Sequence, residues 1–153
     1  MTRPMLRRRQ RSRGQGLVEF SLALMPFIFL FMGVTDLGRG IYMSSGASQA
    51  AREIARVTAV HPCDTSSCSL GNSPETLATI GTQRGLVPGL TSSGITIACA
   101  SITDATITST ATKPCDSGNF IRVTVSIPYY PVTPFVSMVA PSTLVATAHV
   151  EVP

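Results

Sequence analysis

Residues 13–60 read RGQGLVEFSLALMPFIFLFMGVTDLGRGIYMSSGASQAAREIARVTAV. The first half of this stretch decides the architecture. Leu17 to Val34 is an 18-residue run with one charge, Glu19, and one proline, Pro26. Eighteen to twenty helical residues rise about 30 Å, the thickness of the hydrocarbon layer of a bilayer. A secretory signal would have a shorter apolar region, about 7–15 residues, followed by a small-residue cleavage site. Here TDLGRG follows instead, at residues 35–40. The run predicts a transmembrane helix, kinked where Pro26 removes a backbone hydrogen bond. Glu19 is the anomaly, because a charge in the bilayer core costs roughly 2.5–3.5 kcal/mol on insertion scales. It is either an interfacial carboxylate near Arg13 or a group with a use.

Working outward to the N-terminal side, Arg3, Arg7, Arg8, Arg9, Arg11 and Arg13 are six of the twelve basic residues of the 153-residue chain. The rest of the chain holds six basic and eight acidic residues, a net of −2. The protein is thus a basic tip on a weakly acidic body. An arginine cluster can bind nucleic acid, but one that abuts an apolar run sets topology, with positive charge on the cytoplasmic side. No nucleic acid is expected as a partner. The expected topology is a single-pass cell membrane protein, N-terminus cytoplasmic and C-terminal domain extracytoplasmic.

Working outward to the C-terminal side, residues 39–60 contain no proline and stop before His61-Pro62. Gln49, Arg52, Glu53 and Arg56 share one helical face; Met43, Ala47, Ala50, Ala51, Ile54 and Val57 share another. The membrane helix should continue as an amphipathic stem. Its small residues permit close packing, either on a neighbouring helix or on the chain's own globular part. Ser73-Pro74-Glu75 is a helix start, with Ser as cap and Pro at the first helical position. That helix should run to about Arg84, with Gly85, Pro88 and Gly89 ending it. β-Branched stretches follow: ITIACASI, ATITST, NFIRVTVSI and TLVATAHVEV. Phe120, Arg122, Thr124 and Ser126 alternate with Ile121, Val123, Val125 and Ile127, and Leu144 to Glu151 alternates likewise, the period of a sheet with one buried face. Between the last two strands, PYYPVTPFVSMVAPS is a long surface connection, with a helical turn expected at Phe135 to Val139. The fold class is α+β: a long N-terminal transmembrane and amphipathic helix, then a small antiparallel β-sheet domain with disulfides. The expected segments are a basic cytoplasmic leader (1–14), the transmembrane helix and stem (15–60) and an extracytoplasmic domain (61–153).

Cys63, Cys68, Cys99 and Cys115 all fall on the outer side, where an even number reads as disulfides. Four cysteines allow three pairings. The favoured one joins Cys63 to Cys68 across a short loop and Cys99 to Cys115 across about 15 residues, the latter worth roughly 3 kcal/mol in the chain-entropy account. The spacings do not suit a metal, which would need C-x2-C pairs or histidine ligands. His61 and His149 are the only histidines, and no HExxH, GxSxG or Walker loop occurs. Neither an enzymatic activity nor a cofactor is expected. Tyr129 and Tyr130, set between prolines, read as a contact patch or as cover for a core edge.

The order RGQGLVEF, an apolar helix with a proline, G-x-x-D-x-G-R (Gly33 to Arg39), then AARE-x-AR (Ala50 to Arg56), resembles the N-terminal signature of TadE-like proteins. These are minor pilins or pseudopilins of tight-adherence (Tad) pili. VTVSIPYYP and LVATAHVEV are also similar to the family's ending. The resemblance implies cleavage between Gly14 and Gln15 by a prepilin peptidase, which makes Glu19 the fifth mature residue. It also implies that Glu19 pairs with the new α-amino group, within or between helices, in a low-dielectric setting. The implied partners are other pilin subunits, the pilus assembly platform, the prepilin peptidase and the lipid bilayer, with a possible final location in an extracellular pilus. The alternative is a single-pass anchored extracytoplasmic binding module that does not polymerise.

Overall fold

The computed structural model describes residues 13–61, 69–107, 115–133, 136–138 and 140–153. Helix α1 (Arg13–Val60) is one uninterrupted 48-residue element that passes through Pro26. At 1.5 Å per residue it is about 72 Å long, more than twice what a bilayer's hydrocarbon layer needs. From Gly14 to Met32 it is exposed along its whole circumference, and beyond that it is not. Met43, Ala47, Ala50, Ala51, Ile54, Ala55 and Ala59 are all buried. Gln49, Arg52 and Arg56 remain exposed. The amphipathic stem therefore starts where the apolar run ends, with no break in the helix.

Helix α2 (Pro74–Leu86) opens with the Ser73 hydroxyl accepting from the Thr76 amide at 3.2 Å. It runs one residue past Gly85 and stops at Val87, so Gly85 is a helical residue and the Pro88-Gly89 turn alone ends the element. Glycine costs a helix about 1 kcal/mol, which does not outweigh a packed turn. A short buried hydroxyl chain docks α2 on α1. Ser73 donates to Thr76 at 2.8 Å, and the Thr76 and Thr58 hydroxyls lie 3.3 Å apart. Thr58 also donates to the Ile54 carbonyl of α1 at 2.8 Å.

Four strands follow: β1 (Ile95–Ala100), β2 (Thr106–Ile107), β3 (Phe120–Pro128) and β4 (Thr143–Glu151). They form one antiparallel sheet in the order β2-β1-β3-β4. The longest ladder pairs β3 with β4 from Phe120 opposite Glu151 to Pro128 opposite Thr143. Ile121, Val123, Val125 and Ile127 of β3 are fully buried beneath α1, while the alternate residues are only half-buried. Among the described residues the ATITST stretch is strand at Thr106 and Ile107; 108–110 lie outside the described residues. Gly94 leads into β1 against the Ser126 carbonyl, a contact so close that a Cβ would not fit.

The alanine stripe of α1 meets β3 and β4. Of the two uses open to that stripe, the structure shows the internal one: it covers the chain's own sheet. Alanine side chains let a helix approach a sheet closely, so a thin core is sealed without large side chains. The expected turn at Phe135 to Val139 is a three-residue 3-10 turn, Val136–Met138.

Candidate processing and assembly segment

The first turns of α1 hold the residues singled out in the sequence. Gly14 and Gln15 are exposed in the first described turn of α1. A Cβ placed on Gly14 meets nothing within 4 Å. Packing among the described residues therefore does not require glycine at 14. The Gln15 amide donates to Glu19 Oε1 at 3.0 Å across one turn. Gln15 and Glu19 thus share a helix face, the spacing at which side chains meet. Farther along, Ser21 donates to the Leu17 carbonyl at 2.6 Å and Thr35 to the Met32 carbonyl at 2.7 Å. The hydroxyls in and beside the apolar run are satisfied by their own helix, which is what an apolar surround demands.

The residue that sequence reasoning placed only as a member of a pattern is Asp36. It lies two residues beyond the apolar run, outside the segment read as spanning the membrane, and is 2% exposed. Its carboxylate accepts the Val132 amide at 3.0 Å on Oδ1 and the Thr133 amide at 2.7 Å on Oδ2. Its backbone carbonyl accepts the Tyr129 hydroxyl at 2.8 Å. Three bonds therefore join α1 to the connection after β3, 93–97 residues away in sequence. The Thr133 hydroxyl, then the Val132 and Thr133 amides, hold the Asp36 carboxyl below the usual carboxylate range. That hydroxyl is buried and meets no partner at hydrogen-bonding geometry, so it acts as a nearby dipole and the amides are the formed bonds. Gly40, one turn on, faces the Tyr129 ring, and a Cβ there would stand in ordinary contact 3.4 Å from its hydroxyl. The two tyrosines divide the roles proposed for them: Tyr129 is buried and Tyr130 is 73% exposed.

The TadE-like protein family model matches residues 14–56. The TadE-like segment begins at Gly14 and ends at Arg56, in the last turns of α1. It takes in Gln15, Glu19 and Asp36 together, and bears out the resemblance drawn from the motifs. α2 and the sheet lie outside it. No curated protein and no solved structure matches the chain. By length and composition α1 is apolar enough to cross a membrane.

At the far end of the sheet, a disulfide joins Cys99 of β1 to Cys115, with Cα atoms 5.8 Å apart. Cys63 and Cys68 lie outside the described residues. His149 stands half-exposed on β4, its Nε2 3.1 Å from Asp104 Oδ1. Arg122 reaches the same carboxylate at 3.1 Å and donates to the Asp104 carbonyl and the Thr106 hydroxyl. Pairing rules in the sequence could have placed Arg122 beside His149, since they are register partners. Asp104 joins them only because the β1–β2 turn folds back over the sheet.

Proposed function

We propose that this protein is a structural component of a tight-adherence pilus, a minor pilin or pseudopilin that a prepilin peptidase cuts between Gly14 and Gln15. The observation that carries the reading is the TadE-like match beginning at Gly14, on a helix whose exposed N-terminal end sets Gln15 against Glu19. Among the described residues a Cβ on Gly14 would meet nothing within 4 Å, which leaves room for an external reason for it, the fit of the peptidase. The side chain of Gln15 already lies on the carboxylate; cleavage would add its α-amino group as a cation one turn away. Buried between packed helices, the pair neutralises itself and sets subunit stagger. The leader 1–14 stays cytoplasmic and the sheet domain faces outward, by the arginine asymmetry of the flanks. Partners are other pilin subunits, the assembly platform, the peptidase and the bilayer.

The test is intact-mass and N-terminal analysis of the protein expressed with its own peptidase. A mature chain starting at Gln15 is expected, and Gly14→Arg should remain full-length. An arginine variant still shortened by residues 1–14 would refute the peptidase reading. An intact wild-type N-terminus in membranes would favour the anchored binding module that does not polymerise.

A further inference from the structure

The Asp36 clamp fixes which end of the sheet domain faces the membrane. Asp36 is two residues past Val34, a rise of about 3 Å along the helix axis. Tyr129, Val132 and Thr133 are bound to it. β3 therefore runs toward the end of the apolar run, and the connection after it lies at that level. The β1–β2 turn, with Asp104, Arg122 and His149, is at the opposite end, because β1 pairs antiparallel to β3 with Ala100 opposite Phe120.

The two ends differ in chemistry. From Pro128 to Ala148 the sequence has no Asp, Glu, Lys or Arg. The connection exposes large apolar side chains instead: Tyr130 at 73%, Val132 at 65% and Met138 at 84%. Beside them α1 exposes Leu37, Ile41 and Tyr42. Between loop and helix runs an apolar groove lined by Gly33, Leu37, Gly40 and Ile41 on one side and Tyr129 and Val136 on the other. The groove is continuous with the lipid-facing surface of the apolar run through Gly33. Tyrosines and an arginine, Arg39, at this level are the composition of a membrane interface, where amphipathic rings and snorkelling cations sit at head-group depth.

We propose that the connection between β3 and β4 is a second membrane contact, whose Tyr130, Val132 and Met138 side chains enter the interfacial layer of the outer leaflet beside α1. The proposal rests on the reading of α1 as a membrane anchor. Asp36 supplies the fixed geometry: by tying the Val132 and Thr133 amides to the helix it holds the loop at one depth while leaving the Val132 side chain outward. The sheet domain would thus be seated on the bilayer rather than swinging from its stem.

The chain has no Trp, so single tryptophans can report depth without background. Full-length protein carrying Met138→Trp or Tyr130→Trp would be placed in phosphatidylcholine vesicles brominated either near the head group or deep in the acyl chain. Both substituted sites are exposed, so either variant should fold, and each checks the other. Leu30→Trp reports the anchor and Ile102→Trp, 86% exposed in the distal turn, reports the aqueous end. The expected result is strong quenching at 130 and 138 by shallow bromines and weaker by deep ones. Leu30→Trp should show the reverse, and Ile102→Trp should show neither. Quenching at Leu30 with none at 130 and 138 overturns the proposal and leaves the anchor standing. No quenching at Leu30 overturns the anchor and the proposal with it.

Discussion

Glu19 and Asp36 sit at the two ends of one apolar run and meet opposite surroundings. Glu19 is exposed and, among the described residues, accepts from the side-chain amide of Gln15 one turn back on its own helix. Asp36 is bonded to a distant loop and buried. Glu19→Ala should leave processing and membrane insertion intact, since insertion becomes easier without the charge. Its incorporation into pili should fall. Removing one member of a buried pair costs about 3–5 kcal/mol, two decades or more in an equilibrium at roughly 1.4 kcal/mol per tenfold. Comparing membrane and sheared-pilus fractions from cells checks this, and normal pilus amounts of the variant would end the pairing idea. Asp36→Asn should instead destabilise the fold. Each carboxylate oxygen takes one amide, and an Asn side chain would turn an N–H toward one of them. A melting midpoint lower by about 4–8 °C or more is expected for the detergent-solubilised protein at neutral pH. The pH dependence follows from the lowered folded value. Protonation is then easier in the unfolded chain, so the stabilisation is complete above about 3.9, the unfolded value, and is lost as pH falls through the folded one. Wild type should lose midpoint steeply below that pH, and Asp36→Asn should lack that part of the fall.

At the scale of elements, α1 does two jobs with one continuous set of hydrogen bonds. Its apolar run faces outward all round, and its stem turns a stripe of alanines to the sheet. Ala51 is fully buried there. Ala51→Leu adds volume to a close-packed contact, and overpacking of this kind costs typically about 1–3 kcal/mol. Arg52→Ala, next to it on the exposed face, should stay within about 0.5 kcal/mol. Chemical unfolding of both variants measures the contrast, and equal costs would mean that the stem does not seat on the sheet. The periodicity of the stem was legible because buried and exposed residues alternate at helical spacing. What covered the stripe was not, because alanines suit a neighbouring helix as well as a sheet.

At the scale of the molecule, the thin core is closed at its distal end by Cys99–Cys115. The two cysteines are 16 residues apart in sequence, so their bond contributes about 3 kcal/mol if unfolded-chain entropy is the main term. The paired Cys99→Ser, Cys115→Ser variant should lose about 3 kcal/mol of unfolding free energy in a denaturant titration, with a slope that rises as the unfolded chain expands. A stability equal to wild type would place the constraint elsewhere. The sheet domain is thus fastened at both ends, by the Cys99–Cys115 disulfide beside the β1–β2 turn and by the Asp36 clamp at the end of the apolar run.

Sequence alone determined the apolar run, the helical stem, the Ser73 cap and the alternating faces of β3 and β4. Each is a local pattern, set by the period of one element or by a neighbour within four residues. It also carried the motif order that the TadE-like match bears out. The ends of β1 and of α2 fell two residues from where propensity placed them, because pairing and packing, not propensity, decide where an element stops. Tertiary structure alone decided the partners across long separations: Asp36 with Val132 and Thr133, Asp104 with Arg122 and His149, the alanine stripe with the sheet. No local pattern encodes these, because a carboxylate near the end of an apolar run looks the same whether water, lipid or a loop 97 residues away receives it.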